Sequence, residues 1–183
     1  PALPAIGTSL GISDENKRQL VISVFLLGFG MGQLFVGVLS DRYGRRNLIL
    51  WSLAGFAITN VAAITAPTFT HLLIVRAVQG VACAGARVIV TSIVRDKFEG
   101  REMAQVMSLA SMLFMAAPIL APAMGQLVLA FGPWRLIFGV LAIIGLALWI
   151  WMVFRLPETL PLAKRTPISP ANILASAKTV VTD

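Results

Sequence analysis

Gly37-Val-Leu-Ser-Asp41-Arg42-Tyr-Gly44-Arg45-Arg46-Asn-Leu-Ile-Leu50, GVLSDRYGRRNLIL, packs one acid, three arginines and two glycines between two long apolar runs. A basic turn between two membrane spans accounts for Arg42, Arg45 and Arg46. It does not account for Asp41, which falls at a predicted helix C-terminus, where the macrodipole disfavours an anion. A carboxylate there calls for a cation or another helix's N-terminus as partner. Gly44 can take the left-handed conformation that ends a helix. Gly37, four residues before Asp41, leaves a face open to a neighbouring helix. The stretch reads as a charged latch.

Elsewhere the chain avoids charge. Of its 183 residues 57% are hydrophobic and 13% charged, with a mean hydropathy of +0.85. A soluble domain carries roughly 25% charged residues, so this chain lacks the polar surface to coat a water-facing core. A helix crosses the hydrocarbon with about 20 apolar residues. Five runs have that length, at 20–39, 48–66, 72–94, 103–131 and 136–154. The fold class is therefore an all-α, polytopic transmembrane helical bundle.

Residues 1–11, PALPAIGTSLG, have no basic n-region ahead of an apolar stretch and do not read as a signal peptide. The reading is a fragment. Residues 1–19 are taken as the end of a truncated first span with an outer loop. Residues 20–154 are five spans, and 155–183 a cytoplasmic segment leading to a missing second half. Cys83 is the one cysteine, so no disulfide framework can form within the chain.

The net charge of +7 does not point to nucleic acid, because the basic residues cluster on no soluble face and accompany no recognition motif. They sort by side of the membrane. With Asp41 on the cytoplasmic side, the inner loops collect Arg42, Arg45, Arg46, Arg95, Lys97, Arg101, Arg155, Lys164, Arg165 and Lys178, and the outer loops Lys17, Arg18 and Arg135. Even without Lys178, which is far from its span, the bias makes the opening loop cytoplasmic. No nucleophile–base pair, metal-ligand cluster or phosphate loop is present to support an enzyme. His71 falls at a helix start, at the interface.

The first, third and fourth runs carry small residues on one face. Gly28-x-x-x-Gly32 and Ala117-x-x-x-Ala121-x-x-x-Gly125 are spaced to let helix backbones approach closely. Gly32-Gln33-Leu34 recurs as Gly125-Gln126-Leu127. Each precedes an arginine-bearing turn, 44–46 and 132–135, on opposite sides, as an inverted three-helix repeat would leave behind.

The opening stretch resembles the loop signature of the major facilitator superfamily, G-x-L-a-D-r-x-G-r-[RK]-x, which links helices two and three of these twelve-span transporters. Gly37, Leu39, Asp41, Arg42, Gly44, Arg45 and Arg46 match in place. The segment 72–80 resembles the fourth-helix motif l-x-x-x-R-x-x-q-G through Arg76, Gln79 and Gly80. The segment 117–126 resembles the fifth-helix antiporter motif g-x-x-x-G-P-x-x-G-G through Ala117, Ala121, Pro122, Gly125 and Gln126. There, two glycines are alanines and the last is Gln126. PALPAI, FGPWRLIF (131–138) and RLPETL (155–160) look most like the bicyclomycin-resistance (Bcr/CflA) branch of multidrug efflux proteins.

The resemblance covers helices two to six of a first half. It implies an incomplete major facilitator fold whose partners are the bilayer, a small-molecule substrate, and its own missing first helix and C-terminal half. It further implies a multi-pass protein of the bacterial inner membrane that exports drug-like compounds in exchange for protons by alternating access, with no bound cofactor. An uptake symporter of the same fold and a non-transporting scaffold or channel subunit stand as alternatives. By the resemblance Asp41, Arg42 and Arg45 hold the cytoplasmic gate and Arg76 serves the coupling network.

The residues themselves add detail. An arginine at a helix centre costs about 2.5–3.5 kcal/mol on insertion scales, so each one in a span asks for a reason. Arg76 and Arg87 are eleven apart, which puts them on one helix face with Gln79 and Gly80 between. Each either snorkels to its nearer interface or belongs to a polar stripe facing a water-filled cavity. Pro118 and Pro122 each remove a backbone bond and bend the fourth run, as a static kink or a hinge. Phe25, Phe29, Gln33, Met112, Met115 and Met124 are candidates to line a pocket, methionine repacking around varied shapes, although ordinary packing also accounts for each singly.

Overall fold

The computed structural model describes residues 2–158, without the side chains of Val38 and Asp41. Lys164, Arg165, Lys178 and the rest of the expected cytoplasmic segment after residue 158 lie outside the described residues. Among the described residues the regular structure is all helical: α1 (Leu3–Ser9), α2 (Glu15–Tyr43), α3 (Arg45–Ile64), α4 (Phe69–Lys97), α5 (Gly100–Phe131) and α6 (Arg135–Arg155). The last five, α2 to α6, are long and apolar enough to cross a membrane, and each holds one of the five runs, α3 stopping two residues short of the end of the 48–66 run.

Local chemistry sets the helix ends. Asp14 caps α2 by accepting from the Asn16 N–H at 2.9 Å, and Thr68 caps α4 by accepting from the His71 N–H at 3.2 Å. Gly44 alone joins α2 to α3. Its φ of +86° is open to glycine and strained for other residues, and its N–H donates to Ser40 O at 3.1 Å. The α2–α3, α4–α5 and α6 termini near Gly44, Lys97 and Arg155 form one end of the bundle, here called the basic end.

In hydrocarbon the hydrophobic effect does not draw helices together, so packing rests on close contact. α2 and α4 run parallel and touch backbone to backbone. A methyl added at Gly28 would run into Ala77 O, and one at Gly80 into Phe25 O and Phe29 N. Gly32 faces Val81 and Ala84. The Gly28–Gly32 spacing thus does what it predicts. Around this contact, one buried cluster joins Ile6, Val21, Leu72, Val75, Trp134 and Phe138. A second joins Val36, Leu48, Ile49 and Ile89 toward the basic end.

α3 packs against both α4 and α6, and it is tied to α6 at both ends by arginine. Arg46, in the first turn of α3, donates from Nε to Leu156 O at 2.7 Å and from Nη2 to Val153 O at 2.8 Å. Arg135, the first residue of α6, donates from Nε to Ile64 O at 2.9 Å and from Nη2 to Ala66 O at 3.3 Å. Each helix therefore caps the orphan carbonyls of the other, at opposite ends. The inverted pair of turns noted in the sequence sits at these two places.

The close approach expected along Ala117, Ala121 and Gly125 is not made among the described residues. No residue of α5 is buried, and Ala117 and Ala121 are exposed. A small-residue face promotes packing only where another helix lies against it, and here none does. The helix runs on through Pro118 and Pro122, which leave the carbonyls of Phe114 and Pro118 without their usual donors.

The α2–α4 contact carries a direct test. Gly80→Ala should destabilise the protein by about 1–3 kcal/mol, the usual cost of overpacking, seen as a lower midpoint in thermal unfolding of detergent-solubilised protein. Gly30→Ala meets nothing within 4 Å and should leave that midpoint unchanged or slightly raised.

Candidate functional site

Three groups of charged side chains stand out against the apolar bundle. The first is at the basic end. Arg45 pairs with Asp96 in the last turn of α4, Nη1 to Oδ2 at 2.8 Å, off the line of a hydrogen bond. The Glu158 carboxylate sits at the N-terminus of α3, where Oε1 accepts from the Arg45 N–H at 3.1 Å and the Arg46 N–H at 3.4 Å. An anion there satisfies orphan amides and the helix dipole together. Arg42 lies 5.4 Å over the Tyr43 ring.

The expected latch residues Arg45, Arg46 and Gly44 are thus brought together with the exit of α6. Gly37 has nothing within 4 Å of where a side chain would begin, so its open face has no helix against it among the described residues. The Asp41 side chain, the centre of the sequence argument, lies outside what is described. Sequence reasoning missed Asp96 and Glu158. The signal for Asp96 was available, since it too is an acid in the last turn of a helix. Glu158 lies 113 residues from Arg45, and local spacing holds no trace of such a pairing.

The second group is inside the bundle. Arg76 donates from Nη1 to Gln79 Oε1 at 2.7 Å and from Nε to Val21 O at 3.2 Å. Its guanidinium lies 4.4 Å from the Phe25 ring centroid and 5.9 Å from that of Phe138. Gln79 is only 1% exposed. Arg76 therefore links α4 to α2 and α6, with donors satisfied by a side-chain amide and a backbone carbonyl, and aromatic faces covering the charge. Phe25 and Phe29 stack at 6.3 Å on the same stretch of α2.

The third group is Arg87, which does not join that network. It lies eleven residues further along α4, about 16 Å by helical rise, with its guanidinium 4.1 Å over Phe114 of α5. It borders a cleft of about 450 Å³ between α4 and α5, lined also by Val90, Thr91, Ser111 and Met115. Of the cavity candidates only Met115 lines this cleft. Met112 is 71% exposed on α5, and Gln33 is exposed on α2. Ala117, Ala121, Pro122 and Gln126 lie exposed on α5, with Gly125 half-buried. The candidates therefore fall into two separate places rather than one pocket.

A family model described as Major Facilitator Superfamily matches residues 1–181. The chain belongs to the Major Facilitator Superfamily. Among curated relatives, this superfamily member is 39% identical over 182 residues to the uncharacterized MFS-type transporter YdgK of Bacillus subtilis (strain 168), covering 98% of the chain and 44% of that protein. It is 34% identical over 161 residues to multidrug resistance protein MdtL of Klebsiella pneumoniae subsp. pneumoniae, covering 88% of the chain and 41% of that protein. Its fold matches the crystal structure of the human organic anion transporter MFSD10 (TETRAN) with a TM-score of 0.71 at 24% identity, over 95% of the chain and 42% of that one. The chain spans less than half the length of these relatives.

The basic-end wiring predicts charge complementarity. Arg45→Glu should lower the thermal midpoint by facing Asp96 with a like charge. Arg45→Glu combined with Asp96→Arg should recover most of that loss. Size-exclusion chromatography of the solubilised variants after graded heating reads both outcomes. No recovery in the double variant would mean that the 2.8 Å contact contributes nothing.

Proposed function

We propose that this chain forms most of the N-terminal half of a proton-coupled efflux transporter. The complete protein exports drug-like small molecules across a bacterial inner membrane by rocking two six-helix halves about a central site. The Bcr/CflA-like stretches favour this branch, and the multidrug relatives favour drug-like substrates. In the same reading the basic end faces the cytoplasm, and the first helix and second half of the complete transporter pack on the surfaces that α5 and α2 leave open.

The observation that carries the reading is Arg76. A guanidinium stays charged throughout the physiological range, so it does not itself carry the proton. Half-buried beside Gln79 and against Phe25, it supplies a fixed positive charge inside the bundle. Such a charge favours the ionised form of any nearby carboxylate and so tunes proton affinity elsewhere in the site. Lysine would keep the charge but lose the planar fork that reaches Gln79 and Val21 O together.

In purified complete transporter reconstituted into liposomes, Arg76→Ala should reduce gradient-driven export tenfold or more, with substrate affinity kept within a few-fold. Arg76→Lys should fall between Arg76→Ala and the native protein. Unchanged export in both would reduce Arg76 to a packing residue, and gradient-driven import would identify the uptake symporter instead.

Orientation is tested separately. In a Cys83→Ser background, Thr70→Cys should react with an impermeant maleimide in intact cells and Asn47→Cys should not. Labelling at position 47 would reverse the topology.

A further inference from the structure

Arg87 is, among the described residues, a charge without a counter-charge. Among the described residues it makes no hydrogen bond or ion pair through its side chain, and its one close partner is the face of Phe114 at 4.1 Å. The acids that follow on α4, in the α4–α5 connection and on α5 are Asp96, Glu99 and Glu102. Asp96 is nine residues on, about 13 Å along the axis, and is engaged by Arg45. Glu99 and Glu102 are exposed near the helix ends. None of the three lines the cleft.

Arg87 is exposed in the cleft, and its place along the sequence is set back from the basic end. Arg87 lies seven residues inside the apolar run of α4, about 10 Å, and Phe114 eleven residues inside that of α5, about 16 Å. Stacking on Phe114 holds the cation away from the basic end, where a free arginine would snorkel. A phospholipid headgroup sits at the interface, not at this depth. The walls of the cleft are Val90, Met107, Phe114 and Met115, and Thr91 and Ser111 line it with Arg87. The Thr91 hydroxyl donates to Arg87 O, so Ser111 is the hydroxyl left to donate to a ligand.

We propose that the α4–α5 cleft is a binding subsite for an amphipathic organic anion. A carboxylate or sulfonate head pairs with Arg87 and Ser111, and an apolar or aromatic body lies against Phe114, Val90 and the two methionines. A planar guanidinium matches a carboxylate in bidentate fashion, and pre-stacking on an aromatic ring lowers the cost of ordering it. The methionines tolerate varied bodies. The proposal rests on the transporter reading for its biological sense and assigns part of the substrate range to anions.

The test uses the complete transporter in nanodiscs of zwitterionic lipid, with two fluorescent probes of the same shape: dansylglycine, an anion, and its neutral amide. The native protein should bind the anion about tenfold more tightly or better, the contribution of one hydrogen bond to a charged group. Arg87→Gln should remove that preference while leaving affinity for the amide, which reports an intact fold. Arg87→Lys should keep part of it. Arg76→Ala should lose export yet keep the preference, so failure of the coupling reading and failure of this one are distinguishable.

Access is checked with Ser111→Cys in the Cys83→Ser background, which should react with a small maleimide and be protected by dansylglycine. Three results overturn the proposal. One is an anion preference that survives Arg87→Gln. Another is a Ser111→Cys that never reacts, meaning that another segment of the transporter fills the cleft. The third is displacement of dansylglycine by phosphatidylglycerol included in the nanodisc, which would make the occupant a lipid.

Discussion

The contact of α2 with α4 at Gly28 and Gly80 constrains everything else in the bundle. Two parallel helices touch main chain to main chain there, with Ala77 O and Phe25 O in the positions side chains would need. Lipid supplies no hydrophobic force to hold such a pair, so its stability comes from dispersion over closely matched surfaces. The same approach brings Val21 O and Phe25 within reach of Arg76. A wider spacing would take Val21 O and the Phe25 ring away from that guanidinium and leave it Gln79 on its own helix. Packing and part of the polar satisfaction therefore depend on each other at this crossing.

Other charged groups join helix ends. Arg46 and Arg135 answer each other across the α3–α6 pair, each beginning one helix and capping the other. Glu158 adds the reverse polarity at the start of α3. Unpaired helix-end carbonyls are costly near lipid, and arginine can serve two at once because its donors form a fork. The result is an antiparallel pair closed at both ends, beside which no residue of α5 is fully buried.

Much of this was legible in the sequence, for physical reasons. The five spans followed from run length, because nothing else in a 183-residue chain uses apolar blocks of that size. Gly28-x-x-x-Gly32 announced a close approach, and the spacing of Arg76, Gln79 and Gly80 put them on one helix face. The basic-end partners were not legible. Asp96 and Glu158 are ordinary acids until the fold places them near Arg45, and only the dipole argument, applied to Asp41 alone, could have raised Asp96. The small face of α5 was legible as a pattern, yet the pattern could not say whether a helix would lie against it. The separation of Arg87 from Arg76 was also hidden, since a shared face says nothing about which neighbour each side chain turns to.

The single-residue join at Gly44 sets how α2 and α3 can move. Tyr43 and Arg45 bracket one residue, so their Cα atoms are never more than about 7.6 Å apart. No loop slack exists at that end, and Gly44 is buried there. Any relative motion of the two helices must be angular, a tilt about this corner that is smallest at the basic end and grows toward Glu15 and Ile64. At the far end α3 meets α4 through residues 65–68, a longer connection that can absorb the swing. The pair is hinged like a pair of compasses, and a displacement of about 1 Å near the corner becomes several ångströms at the tips, about 29 Å away along α3 and about 42 Å along α2 by helical rise.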